Sequence, residues 1–61
     1  MAQTIDLNEI SDRIRTIKKA AEELKRMSDN FPAVNRNASR ILASVKMLEI
    51  NVSDVLNTGN P

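Results

Sequence analysis

The apolar positions of this chain fall into two series that advance by alternating three- and four-residue steps. Leu7, Ile10, Ile14, Ile17, Ala21 and Leu24 form the first; Val34, Ala38, Ile41, Val45, Leu48, Val52 and Val55 form the second. Such steps keep side chains on one stripe of a helix with 3.6 residues per turn, so each series predicts an amphipathic α-helix. A half-buried strand needs alternation at every second position, and neither series has it.

The stretch Ser28-Asp29-Asn30-Phe31-Pro32 separates the two series. Pro32 has no N–H and disfavours helical dihedrals at Phe31, yet proline suits the first position of a new helix. Asn30 is a candidate to close the first helix in a left-handed conformation, while Phe31 has no side-chain oxygen with which to cap the second. At the other end of the first helix, Asp6 followed by Glu9 has the spacing of a capping box, and Ile5 with Ile10 that of a hydrophobic staple. These signals predict a helix over about 7–29, a turn at 30–32 and a helix over about 33–56. Gly59 and Pro61 stop the second helix, and 58–61 is expected to fray.

About the turn, the apolar residues are nearly mirror images. Leu24 and Ala38, Ala21 and Ile41, Ile17 and Val45, Ile14 and Leu48, Ile10 and Val52, and Leu7 and Val55 are pairs whose numbers each sum to 62. A short connection makes consecutive helices antiparallel neighbours. The sequence therefore reads as all-α, a single antiparallel helical hairpin domain spanning 1–61, with those twelve residues as its core.

A lone hairpin shares only one seam. The ordering entropy of about sixty residues outweighs or cancels what one seam buries, so a chain this short needs a disulfide, a metal or another subunit. Ala20 and Met27 flank the seam of the first helix, and Leu42 and Leu56 lie beside that of the second. These wide apolar arcs predict a second hairpin and a homodimeric four-helix bundle with coiled-coil-like packing, or a higher helical oligomer. On the far side of the second helix, Ala43, Met47 and Ile50 stand at i, i+4 and i+7, the spacing of a docking stripe for a helical protein partner. Ordinary exposed apolar residues account for the same stripe.

Composition narrows the chemistry. The chain has no Cys and no His, which excludes disulfide frameworks, thiol chemistry, histidine bases and the usual zinc motifs. Glu22 and Glu23, the only adjacent carboxylates, point about 100° apart on a helix and have basic neighbours, poor geometry for a shared acid/base site. No catalytic, cofactor-binding or metal-binding residue is expected, and the chain reads as no enzyme. Asn37-Ala38-Ser39 and Asn51-Val52-Ser53 match the glycosylation acceptor pattern, but both fall inside a predicted helix. The first residues show neither a basic leader nor an apolar run of membrane-spanning length, so the default expectation is a complete small protein of the cytoplasm with no membrane contact.

Nine Lys or Arg oppose eight Asp or Glu, for a net charge of +1. One Phe, with no Tyr or Trp, leaves no platform for stacking bases. Nucleic-acid binding by a basic surface of a dimer, through Arg15, Lys19, Arg26, Arg36 and Arg40, is therefore the alternative function rather than the first. The charges are nonetheless unevenly placed. Residues 24–40 carry Lys25, Arg26, Arg36 and Arg40 against Asp29, a balance of +3; residues 1–12 and 49–61 carry Asp6, Glu9, Asp12, Glu49 and Asp54 and no base, a balance of −5. The function this sequence supports first is a small, self-associating helical protein-interaction module.

Overall fold

The computed structural model describes residues 6–58 and contains two α-helices, α1 (Leu7–Met27) and α2 (Pro32–Thr58), packed side by side as a helical hairpin. Among the described residues there is no strand, and no helix is long and apolar enough to cross a membrane.

Helix α1 begins where the capping signal places it. Asp6 has extended dihedrals (φ −92°, ψ 94°), and its carboxylate accepts from the Glu9 backbone N–H at 3.1 Å. Its carbonyl takes the first helical bond, from Ile10 N–H at 3.0 Å. One early donor is thus satisfied by a charged oxygen at the positive end of the helix dipole. The return bond of a full capping box, from the Glu9 side chain, is not made, and Ile5 of the expected staple lies outside the described residues.

The turn closes differently from the sequence expectation. Helix α1 stops at Met27 rather than near residue 29, because Ser28 N–H bonds the carbonyl three residues back, Lys25 O, at 3.3 Å. No described residue has positive φ, so Asn30 does not close the helix in a left-handed conformation; Ser28 closes it at φ −108°, ψ 30°. The Lys25 carbonyl is the fastening point. It accepts from Ser28 N–H, from Ser28 Oγ at 2.9 Å and, across the turn, from Asn35 Nδ2 at 3.2 Å. Ser28 is only 3% exposed, and its hydroxyl is satisfied in place by this bond.

Phe31 N–H then bonds Ser28 O at 3.0 Å, and Phe31 O receives Asn35 N–H at 3.0 Å, starting α2. Pro32 occupies the first helical position, one residue earlier than expected from the pattern, where its missing N–H costs nothing. At the other end α2 runs to Thr58, past the expected limit near residue 56 and through the first residue of the stretch expected to fray; 59–61 lie outside the described residues.

Replacing Ser28 by Ala removes one hydrogen bond but leaves Lys25 O with two donors, so no buried acceptor is orphaned. Ser28→Ala is expected to lower the unfolding free energy by about 1 kcal/mol at fixed protein concentration. Urea titration followed by helicity measures it, and an unchanged midpoint contradicts the role given to the turn.

Candidate functional site

The hairpin buries one row of side chains on each helix. Ile14 and Ala21 on α1, and Ala38 and Val45 on α2, are 7% exposed or less, and each pair is one heptad apart. Leu7 and Val52 extend these inner rows and are half-buried. Alanine at positions 21 and 38 permits close approach of the two backbones near the turn.

Three residues on from each inner position, about 60° round the helix, lies a second row. It comprises Ile10, Ile17 and Leu24 on α1, and Ile41, Leu48 and Val55 on α2. All six are between 39% and 51% exposed. The twelve residues expected to form one closed core therefore divide into an inner six and an outer six. Each mirror pair joins one residue of the inner row to one of the outer: Ile14 to Leu48, Ile17 to Val45, Ala21 to Ile41, Leu24 to Ala38, and likewise Leu7 to Val55 and Ile10 to Val52. The mirror is an average of two registers. The physical reason is that two cylinders touch along one line, whereas an alternating three-four stripe is wide enough for two.

In an antiparallel pair, equal offsets from the facing rows fall on the same side of the pair in both helices. The six outer-row residues thus form one continuous aliphatic face. Ala20 and Met27 lie farther round α1 on this same side and are exposed, Met27 at 77%.

The opposite side is polar and closed. Four residues on from Ile14 and Val45 stand Lys18 and Glu49, whose Nζ and Oε2 are 3.3 Å apart across the hairpin. The Asn35 bond to Lys25 O occupies the same pair of rows nearer the turn. Ser11, Ile14, Arg15 and Lys18 line a groove on this side with Glu49, Val52 and Ser53. Leu42, expected to help receive a second hairpin, shares a row with Asn35 and Glu49 and is half-buried on this polar side. The side chain of Leu56 lies outside the described residues.

Lys18 reaches Glu49 across the hairpin rather than Glu22 one helical turn on, and none of the i,i+4 pairs that the spacing of α1 offers (Glu9 with Arg13, Glu22 with Arg26, Lys18 with Glu22, Lys19 with Glu23) closes. Arg15 pairs with Asp12 at 3.0 Å. The basic residues considered for nucleic acid do not converge. Lys19 and Arg26 share the outer edge of α1, Arg15 is engaged beside them, and Arg36 and Arg40 lie on the far edge of α2; all five are exposed. Ala43, Met47 and Ile50 occupy the outer surface of α2, with Met47 at 57% exposure. Among the described residues no cluster of His, Cys, Asp or Glu is arranged to hold a metal ion.

The split between a filled row and an open row was missed at the sequence level. Its signal was present: the two alanines nearest the turn, Ala21 and Ala38, lie in the inner row of each helix, whereas the outer row is all Ile, Leu or Val. Small residues mark where backbones meet.

The Lys18–Glu49 pair is half exposed, so its contribution is small. Glu49→Gln is expected to change the unfolding free energy by less than about 1 kcal/mol, and by still less in high salt. A loss of several kcal/mol in denaturant titration contradicts that assignment. Comparison with protein-family models, with curated proteins and with solved structures finds no match for this chain.

Proposed function

We propose that this chain is a self-associating protein-interaction module whose aliphatic face packs against a second copy, giving a homodimeric four-helix bundle. The observation that carries this reading is the open row itself: six large aliphatic residues in register along both helices, each 39–51% exposed, all on one side of the hairpin. Contiguous apolar patches of this kind on a small chain mark interaction sites.

The burial pattern agrees. Among the described residues four apolar side chains are buried in the hairpin alone, a small core for two helices. Pairing two aliphatic faces doubles the number of filled rows without changing either hairpin, since inner and outer positions are the a and d positions of an ordinary bundle heptad. The polar side, with Lys18, Glu49 and Asn35 engaged in bonds within the hairpin, then faces solvent.

Lysine substitutions separate the two apolar surfaces. Ile17→Lys or Leu48→Lys, each in the middle of the open row, is expected to raise the dimer dissociation constant by about a hundredfold, because both copies lose about 1.5 kcal/mol of aliphatic burial. Ala43→Lys, on the outer surface of α2, is expected to leave it unchanged. Sedimentation equilibrium reads all three. Dissociation by Ala43→Lys with retention by Ile17→Lys places the interface on the other surface and overturns the proposal.

A further inference from the structure

We infer that the two copies meet with their turns at opposite ends, so that each helix lies beside its own counterpart; this rests on the self-association proposed above. Two two-fold arrangements cover the same aliphatic face. With turns at the same end, α1 of one copy lies beside α2 of the other. With turns at opposite ends, α1 lies beside α1 and α2 beside α2, both antiparallel. The rows that flank the face distinguish them.

Beyond the open row on α2 comes an uncharged polar row, Asn37, Ser44 and Asn51, all exposed. Beyond that comes the outermost row of α2, Arg40, Met47 and Asp54, whose two charged residues are fourteen apart, about 21 Å along the helix. Opposed turns bring α2 against α2 about a two-fold through the Leu48 level. Ser44 then lies level with the partner's Asn51, Asn51 with the partner's Ser44, and Arg40 with the partner's Asp54. A hydroxyl and a carboxamide each donate and accept, and both pairs occur twice by symmetry.

On α1 the corresponding flank is Arg13, Ala20 and Met27. The same two-fold crosses α1 near Ile17, which places Ala20 level with the partner's Arg13, a small residue beside a long one, and Arg13 within reach of the partner's Glu23. With turns together, Met27 instead faces the partner's Asn37 and Arg40 the partner's Glu23, but Glu9 then faces the partner's Asp54, a like-charge contact that opposed turns avoid. The ends agree with the flanks: the turn carries +3 and the open end −5 over the residues named above, so opposed turns pair unlike poles. Exposed charges supply little affinity but discriminate between orientations, because like-charge contacts are penalised.

A charge swap tests the arrangement. In about 50 mM salt, Arg40→Glu is expected to raise the dimer dissociation constant roughly tenfold. Adding Asp54→Arg restores it to within about threefold of the parent. Rescue by Glu23→Arg instead of Asp54→Arg shows the turns together and overturns the inference, as does an Arg40→Glu variant that associates like the parent. An independent distance comes from a spin label on Asp29→Cys in the otherwise unchanged chain. Opposed turns separate the two labels by about 30 Å or more, the length of α1; a separation under about 20 Å contradicts them. A parent chain that sediments as a monomer fails at the earlier step, the self-association itself, and is recognised as such before any swap is made.

Discussion

Two helices touch along one line, and everything else in this hairpin follows from that constraint. Each helix carries a stripe of aliphatic residues wide enough for two contacts, yet the hairpin supplies one. The residues that win the contact are Ile14, Ala21, Ala38 and Val45, with two alanines where the backbones are drawn together by the turn. The larger Ile10, Ile17, Leu24, Ile41, Leu48 and Val55 are left half in water. Hydrophobic burial is the main favourable term in folding, so leaving this outer row open is a cost that the proposed second copy would relieve.

The rest of the molecule is arranged around the same asymmetry. Lys18 and Glu49, and the Asn35 bond to Lys25 O, lie on one side only. That side is satisfied within the chain. The turn adds direction: with three donors on the Lys25 carbonyl and Pro32 starting α2 directly after Phe31, the second helix leaves at a fixed position relative to the first. This sets the inner rows face to face and turns both outer rows to the same side. A turn one residue longer would rotate α2 by about 100° and break the shared face.

Much of this was legible from the residues, for identifiable reasons. The helices, their antiparallel pairing, the Asp6 cap and the role of Pro32 come from local rules of spacing and backbone chemistry, which act within a few residues. The exact ends were less legible. Ser28 stops α1 through a bond from its own N–H and hydroxyl to Lys25 O, and no left-handed residue is needed. Which half of the apolar stripe is buried was not legible from periodicity, because Ile14 and Ile17 are the same residue type on the same stripe. Only the level set by the turn separates them. Leu42 shows the same limit, being apolar and beside the seam but on the polar side.

The central claim is that the fold of each hairpin depends on a second copy covering the open row. The most direct measurement is the thermal unfolding midpoint, followed by helicity, as a function of protein concentration. A dimer whose folding and association are coupled has a midpoint that rises steadily with concentration. A helical signal whose midpoint stays constant over a thousandfold dilution, in a chain that sediments at the mass of one copy, would contradict the account.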